Sequence, residues 1–386
     1  MTEDKVIRAI KLADKHGTPL YVYDAEAILK AVNKVKTSIA GFNLIYSVKA
    51  NPFISILRLM SDNGVGIDAG SKNEALDSIK AGHYPENIYF SAPGKSRKCI
   101  LGAWGKCKII ADSLNELSLI NETAKEKGET ARVGVRINLP SSEMRKSRFE
   151  VMGGTASKFG IESEVFFAEA EKLAQMKNIR INGLHVYFGS QLADEKLIAN
   201  NFNVISRCAL QIKKIFPLEY VNYGGGFGVP YRGDEQGRPE LNLLALYLKN
   251  DAETKSVLNA GIRANIELGR YLTAQAGYFI SSVADVKRSG GKTFVILDGG
   301  MNSFFRPKFT GQKHQVWQHP IKPYAEKVPV VLTGNTCTPL DVFYEDETLS
   351  DPSPGDKIIF GNAGAYGYSM SLLEFISFDK PKQIML

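Results

Sequence analysis

The stretch Tyr46-Ser47-Val48-Lys49-Ala50-Asn51 closes an apolar run at residues 42–48 and is followed by Pro52. Arranged as a strand, this run presents apolar side chains on both faces, as buried parallel strands of α/β proteins do. Lys49 would then leave the core at the carboxyl end of the strand, the end that carries the chemistry in closed α/β barrels. From the spacing alone, a lysine that extends its amine to solvent is the favoured interpretation. The alternative is a partly desolvated amine that acts as a nucleophile.

Composition sets the broad class of the protein. With 386 residues, of which 44% are hydrophobic, the chain is long enough for two domains with sizeable cores. We expect a cytoplasmic protein without a membrane span or secretory signal, because no long apolar run appears and the four cysteines lack disulfide density. The cysteines also lack metal-ligand spacing, so no metal site is expected. The net charge of +7 is dispersed along the chain, which argues against nucleic-acid binding.

The lysine strand belongs to a regular series of strands that alternate with helices. Strands are predicted at residues 42–48, 64–68, 87–91, 108–112, 131–138, 181–188, 220–223 and 263–267. Ser71 and Glu74 form a capping box that starts one of the intervening helices. Eight strands in such an alternation predict a (β/α)₈ barrel with a parallel sheet.

A second domain is predicted beyond Arg270. Strands at residues 277–286, 292–297, 327–332, 357–360 and 373–378 follow one another without intervening helices, which indicates an antiparallel β domain. The strand around Tyr21 is expected to join it. The predicted division is a barrel at residues 24–270 and a β domain formed by residues 1–23 and 271–386.

A glycine run follows the seventh predicted strand. Gly224-Gly225-Gly226-Phe227-Gly228 would let backbone N–H groups converge on a phosphate. A tight turn is the more common explanation of such a run. Its position favours phosphate, because loops after strands seven and eight commonly bind phosphate in this fold.

Motifs along nearly the whole chain resemble one family, the fold-type III pyridoxal-phosphate decarboxylases that include ornithine and diaminopimelate decarboxylases. The resemblance implies an alanine-racemase-like TIM barrel with a C-terminal antiparallel β domain, and pyridoxal 5'-phosphate as the cofactor. The motifs are Tyr46 to Asn51, Gly189-Ser190-Gln191, Glu267-Leu268-Gly269-Arg270, Gly334 to Asp341 and Gly364 to Ser369, with Leu268 where proline is usual.

The resemblance assigns roles to individual residues around the cofactor. Lys49 would hold the cofactor covalently, and Glu267 would keep the ring nitrogen protonated. Tyr187 stands where the family has a histidine that covers the ring, and His185 is either a catalytic residue or a hydrogen-bonded core residue. The other implied cofactor contacts are Asp68, Ser190, Gly225, Gly226, Gly269, Arg270 and Tyr366.

The motif around Cys337 implies a homodimer with shared active sites. In the family this cysteine reaches the active site of the neighbouring subunit, where a thiol can return a proton to Cα after CO₂ has left. Thr338 replaces the acidic residue that holds the distal ammonium in basic amino-acid decarboxylases. Arg306, Thr338 and Asp341 are the implied substrate residues.

With Thr338 in place of an acidic residue, the chain resembles a divergent branch of the family. This branch includes the carrier-protein-linked glutamate decarboxylase of butirosin biosynthesis and siderophore-pathway decarboxylases. The expected activity is decarboxylation of a modified or carrier-tethered L-amino acid. Diaminopimelate decarboxylation is one alternative. A non-catalytic pyridoxal-phosphate-binding protein is another, although it would be expected to lack Lys49 or Cys337. A racemase of related fold would usually carry arginine in place of Glu267.

Overall fold

The computed structural model describes residues 3–140, 156–232, 237–322 and 326–386. Two compact units divide the chain. The β unit comprises Met1–Leu29, Pro230–Glu235 and Leu272–Leu386, and the barrel unit comprises Lys30–Val229 and Gln236–Tyr271. Lys49 therefore lies in the barrel unit and Cys337 in the β unit.

The helices are mostly short. None in the described part of the chain has both the length and the apolar character that crossing a bilayer requires. Their bounds are α1 (Glu3–His16), α2 (Ala25–Ser38), α3 (Ile54–Asp62), α4 (Lys72–Lys80), α5 (Arg97–Ala103), α6 (Leu114–Lys127), α7 (Ser163–Ala168), α8 (Ala170–Ala174), α9 (Glu195–Lys213), α10 (Leu241–Asn250), α11 (Ala252–Asn259), α12 (Arg270–Thr273) and α13 (Arg306–Thr310).

The strands fall into two sheets. Their bounds are β1 (Leu20–Tyr23), β2 (Phe42–Ser47), β3 (Gly66–Ala69), β4 (Ile88–Phe90), β5 (Lys108–Ala111), β6 (Ala131–Asn138), β7 (Ile161–Glu162), β8 (Ile179–His185), β9 (Tyr220–Gly225), β10 (Arg263–Leu268), β11 (Gly277–Ser289), β12 (Lys292–Leu297), β13 (Val316–His319), β14 (Lys327–Thr333), β15 (Val342–Ser350), β16 (Lys357–Phe360) and β17 (Lys382–Met385).

The barrel unit holds a closed parallel sheet. Strands β2, β3, β4, β5, β6, β8, β9 and β10 pair in that order, and β10 pairs with β2 to close the barrel. Apolar side chains make these strands almost entirely buried, as the burial of all three residues of β4 illustrates. The predicted (β/α)₈ barrel is confirmed. Because all eight strands are parallel, their carboxyl ends meet at one end of the barrel.

The middle of the barrel is filled by the ring of Tyr220. A Cβ atom on Gly183 would lie 2.0 Å from Cζ of this ring, and a Cβ on Gly134 would lie 2.3 Å from its hydroxyl oxygen. Both positions must therefore remain glycine while the ring occupies this space. Tyr220 packs in a buried cluster with Ile45, Tyr89 and Ile110.

Two helices are capped in a way that fixes the carboxyl ends of the strands before them. Ser71 Oγ accepts the N–H of Glu74 at 3.1 Å, and the Glu74 side chain accepts the Gly70 N–H at 2.6 Å. The predicted capping box is therefore present, with its return bond on Gly70. In α6 the same pattern recurs, since Glu116 accepts the Asp112 N–H at 2.9 Å. Each glutamate thus ties a helix start to the end of β3 or β5.

The β unit contains a mainly antiparallel sheet, as predicted. Its strand order is β13-β16-β11-β12-β14-β15, and β11 also pairs antiparallel with β1. The pairs β1–β17 and β12–β14 are parallel. The expected contribution of the strand around Tyr21 is present in β1.

Several expectations for the β unit were wrong. The predicted strand at residues 373–378 contains a 3₁₀ turn at Phe375–Ser377, where Ile376 and Ser377 have φ angles of 61° and 58°. Such angles do not fit an extended strand, and the apolar side chain of Ile376 is 42% exposed. Helix α13 interrupts the series of strands that was expected to lack helices. Strands β13, β15 and β17 were not predicted.

Candidate active site

Lys49 follows the carboxyl end of β2. It lies in a 3₁₀ turn, Val48–Ala50, whose other two side chains are buried while that of Lys49 is exposed. Its Nζ atom is 5.2 Å from the centre of the Tyr187 ring. The amine therefore opens into a cavity of about 250 Å³, which is lined by Lys49, Asp68, Gly70, Ser91, Ala92, Pro93, Arg136, Phe159, His185, Tyr187 and Glu267.

Glu267, like Asp68, is one of the two buried carboxylates that line this cavity. It lies near the end of β10 and is 3% exposed. Asn222 Nδ2 donates to its Oε1 at 3.1 Å, and His185 Nε2 is 3.1 Å from its Oε2. Asn265 Nδ2 in turn donates to Asn222 Oδ1 at 2.6 Å. These contacts fix the orientation of the buried carboxylate.

Asp68 is held by serines from the two neighbouring strands. Ser47 Oγ donates to its Oδ2 at 3.0 Å, and Ser91 Oγ donates to its Oδ1 at 2.6 Å. Ser47 ends β2 and Ser91 directly follows β4. Asp68 thereby links the carboxyl ends of the three adjacent strands β2, β3 and β4.

Arg136 brings a second cation to the cavity. Its guanidinium is 3.6 Å from Asp112 Oδ1 and lies 4.5 Å from the centre of the Phe159 ring. Gly160 N–H donates to Asp112 Oδ2 at 3.0 Å. Burial raises the pKa of the Asp112 carboxyl, and the Gly160 bond and Arg136 oppose this shift. The segment at residues 157–161 contributes Phe159 to the cavity lining.

The glycine run at the carboxyl end of β9 is required by close backbone contacts. Gly224 and Gly226 have φ angles of 63° and 71°, which other residues rarely adopt. A Cβ on Gly225 would lie 1.8 Å from the Glu267 carbonyl oxygen, and one on Gly226 would lie 1.8 Å from that of Gly189. Glycine therefore allows the run to approach both β10 and the turn before Ser190.

Two residues assigned to the phosphate lie together. Arg270 Nη2 donates to Ser190 Oγ at 3.2 Å, and both side chains are buried. Gly269, which precedes Arg270, has space only for a hydrogen, because a Cβ there would lie 2.8 Å from Cβ of Ala50. The start of α12 is thus packed directly against the turn that carries Lys49.

The Cys337 motif forms a turn in the β unit. Cys337 is exposed, whereas Asp341 is buried. Asp341 accepts the Met301 N–H at 2.8 Å and, at 2.9 and 2.5 Å, the N–H and hydroxyl of Thr336. Thr338 Oγ1 accepts the Leu340 N–H at 3.3 Å. The carboxylate of Asp341 therefore braces the turn that presents Cys337.

Arg306 and Tyr366 contact each other in the same unit. The Arg306 guanidinium is 5.3 Å from the centre of the Tyr366 ring and 5.4 Å from that of Tyr231. Its Nη2 donates to Gln312 Oε1 at 2.7 Å. Tyr366 has a φ angle of 60°, a conformation that few residues other than glycine adopt.

Sequence reasoning did not find how Glu267 is held. Asn222 and the contact from His185 were missed, although a polar residue within the apolar strand Tyr220–Gly225 was a usable signal. The structure brings Lys49, Asp68, Tyr187 and Glu267 to one cavity. It places Cys337, Thr338, Asp341, Arg306 and Tyr366 in the β unit.

The barrel unit carries groups that match pyridoxal 5'-phosphate. The cofactor has an aldehyde, a ring nitrogen and a phosphate, and this unit offers an amine at Lys49, a buried carboxylate at Glu267 and the Ser190–Arg270 pair. His185 also keeps a buried Nδ1 atom without a hydrogen-bond partner among the described residues. The residues present fit the cofactor. Fold and site together define a pyridoxal-phosphate enzyme built on a closed barrel.

Comparison with known sequences gives the family. The profile described as "Pyridoxal-dependent decarboxylase, pyridoxal binding domain" matches residues 25–274, more than half of the chain. The chain belongs to this family. It is a pyridoxal-phosphate-dependent amino-acid decarboxylase.

Relatives extend the match over nearly the whole chain. The L-glutamyl-(BtrI acyl-carrier protein) decarboxylase of Niallia circulans is 31% identical and is matched over 97% of this chain and 90% of its own. The diaminopimelate decarboxylase of Methanocaldococcus jannaschii is 33% identical, over 94% and 85%. A crystal structure of Helicobacter pylori diaminopimelate decarboxylase complexed with L-lysine is 30% identical, with a TM-score of 0.87 and coverage of 98% and 94%.

Proposed function

We propose that the enzyme removes the α-carboxylate of an L-amino acid whose distal end carries no free ammonium. The substrate class is a carrier-tethered glutamate or an acylated diamino acid. The observation that carries this proposal is Thr338, a neutral residue directly after Cys337. Similarity to the Niallia circulans enzyme, named for a carrier-linked glutamyl substrate, supports it. None of the four cysteines, all of which lie in the described residues, is in a disulfide bond, and this supports a location in a reducing cytoplasm.

The barrel residues would each have a separate role around the cofactor. Bound pyridoxal phosphate supplies an electron-accepting ring that stabilises the charge left at Cα when CO₂ departs. Lys49 Nζ is the amine that would hold the cofactor, and its exposed position would leave it open to a substrate amine. Glu267, buried and fixed by Asn222 and His185, holds a proton on the ring nitrogen. Ser190 and Arg270 anchor the phosphate.

Cys337 is the proposed proton donor to Cα. Its exposed position suits a group that is offered to a second copy of the chain. We therefore include in the proposal a homodimer in which each copy lends Cys337 to its partner. The thiol would give up its proton after CO₂ has left and recover one from solvent before the next turnover.

The neutral side chain of Thr338 disfavours free diamino acids. A buried ammonium left without a carboxylate costs several kcal/mol. Thr338 supplies one hydroxyl oxygen, and that oxygen already accepts the Leu340 N–H. Sites that leave a buried polar group unpaired typically discriminate by about 10⁴-fold. A distal amide, thioester or carboxylate avoids this cost.

The test is CO₂ release from matched substrates. We expect kcat/KM for a glutamyl thioester of a carrier or of pantetheine to exceed that for meso-diaminopimelate, lysine or ornithine by about 10³-fold or more. Thr338→Asp should raise kcat/KM for the diamino acids, whereas the control Thr338→Ser should not. The proposal fails if wild-type enzyme prefers a free diamino acid.

Diaminopimelate decarboxylation is the second candidate. The similarity to the Methanocaldococcus jannaschii and Helicobacter pylori enzymes supports it, because these enzymes are about as identical in sequence to this chain as the carrier-linked relative is. The same substrate panel separates the two candidates. Efficient turnover of meso-diaminopimelate by the wild-type enzyme would establish this one.

A further inference from the structure

A second cavity lies at the amino-terminal end of the barrel strands, opposite the end that carries Lys49. Its volume is about 560 Å³, more than twice that of the Lys49 cavity. Lys108, Tyr220 and Arg263, which begin β5, β9 and β10, line it. The buried cluster around Tyr220 fills the barrel between the two cavities. A ligand bound here would therefore not compete with the cofactor or substrate.

The charged residues of this cavity are not balanced. Arg132 forms an ion pair with Glu219 at the rim, where their side chains are 59% and 40% exposed. Glu219 also accepts the side-chain N–H of Asn182 at 3.2 Å. Lys108 and Arg263 have no carboxylate within ion-pair distance in the described residues. A further exposed glutamate also lines the cavity, so three cations face two carboxylates and the lining keeps a net positive charge.

Lys108 is held in an apolar setting that makes its charge costly. Its Nζ atom lies 4.8 Å from the centre of the Tyr89 ring and 5.3 Å from that of Tyr220, and it donates to the Tyr89 hydroxyl at 3.3 Å. Burial, followed by the charges of Arg263 and Arg132, lowers the pKa of Lys108 to about 8. A bound anion would offset all three effects.

We propose that this amino-end cavity is a second ligand site, for a small dianion whose oxygens bridge Lys108 and Arg263. A guanidinium offers two parallel N–H donors to a carboxylate or phosphate-type group, and an ammonium adds a compact charge. The cavity is far larger than a single inorganic ion needs, so a dicarboxylate or a small phosphate ester fits it as well. Inorganic and organic sources of these oxygens share the same recognition chemistry.

Calorimetric titration of the cofactor-loaded enzyme tests the proposal. Loading occupies the phosphate-binding groups of the active site, so sulfate and succinate, titrated separately at constant ionic strength, report on other sites. We expect saturable binding of one anion per chain, weakened about 10- to 100-fold in Lys108→Met and in Arg263→Met. Lys106→Met, which removes an exposed charge two residues away, is the matched control and should bind normally.

The sulfate and succinate titrations distinguish the possible ligands. Binding of sulfate alone would identify a phosphate-type ligand, and binding of succinate alone would identify a dicarboxylate. No saturable binding of either anion, or equal affinity in all four proteins, overturns the proposal. Thermal unfolding of each variant verifies that it is folded. Failure here would leave the decarboxylase assignment untouched, because the two sites share no residue.

The pH dependence provides a second readout. Sulfate stays a dianion between pH 7 and pH 9, while Lys108, with a pKa of about 8, loses its charge in this range. Affinity should therefore fall about tenfold as pH rises from 7 to 9, and Lys108→Met should show no such fall. Burial raises the pKa values of Tyr89 and Tyr220, so both keep their protons. The charged groups facing Lys108 are Arg263, Arg132, Glu219 and Glu86.

Discussion

At the residue scale, the Glu267 carboxylate is held in one orientation by its neighbours. Its two oxygens are engaged by Asn222 and His185, so the side chain cannot rotate toward another partner without losing buried hydrogen bonds. Losing such bonds costs about 1–3 kcal/mol each. The charge is therefore held in place before the cofactor binds.

Replacing Glu267 with glutamine tests this role. Glutamine keeps the volume and can still accept from Asn222, but it removes the charge that would keep the ring nitrogen protonated. We expect CO₂ release to fall by about 10²- to 10³-fold while the fold and cofactor binding are retained. Steady-state CO₂ release and cofactor absorbance measure both effects. The exposed Glu164→Gln is the control, and near-normal turnover by Glu267→Gln would contradict the assignment.

The same scale shows which site residues a sequence can reveal. The placement of Lys49 and Glu267 at this end of the barrel was predictable because each sits in a short local motif at a strand end. The His185–Glu267 contact was not, because it joins residues 82 positions apart whose proximity depends on barrel closure. Asp341 was expected to contact substrate. The structure shows its oxygens accepting bonds from its own turn, and a substrate role stays a prediction.

At the element scale, the barrel strands were predictable and part of the β unit was not. Buried parallel strands are continuous apolar runs, and the helices between them mark their ends. Strand β15 lacks this signal, because Glu345, Asp346 and Glu347 interrupt its apolar residues and its pairing with β14 shifts register. The wrongly predicted strand at residues 373–378 is largely apolar but mostly exposed. Apolar composition alone therefore did not identify strands at the surface.

The contact between β9 and β10 yields a prediction at the same scale. In Gly225→Ala the new methyl group would meet the Glu267 carbonyl oxygen at 1.8 Å, and no side-chain rotation can relieve a clash with backbone. We expect the free energy of unfolding to fall by about 3 kcal/mol, with weaker cofactor binding as Glu267 shifts. Urea denaturation measures the change. Gly237→Ala, where a Cβ meets nothing within 4 Å, should be neutral, and an equally stable Gly225→Ala would refute the argument.

At the scale of the whole molecule, the proposed dimer predicts complementation between two inactive variants. Lys49→Ala removes the cofactor-binding amine and Cys337→Ala removes the proposed proton donor. If each copy lends Cys337 to its partner, a mixed dimer contains one intact site. Co-refolded or exchanged mixtures should then recover up to about a quarter of wild-type CO₂ release, as random pairing followed by one active site of two implies. Mixtures that stay inactive despite proven exchange would place Cys337 in its own chain or outside catalysis.

The ring of Tyr220 in the middle of the barrel has a consequence for how this sequence can diverge. Gly134 and Gly183 leave the space that the ring fills, so the residue tolerated at each of the three positions depends on the other two. A larger residue at either glycine can be accepted only after Tyr220 has been replaced by a smaller residue. A smaller residue at position 220 leaves a cavity until one of the glycines is replaced by a larger residue. Substitutions at these three positions should therefore occur together in related sequences. A redesign of the barrel core must likewise change all three positions at once.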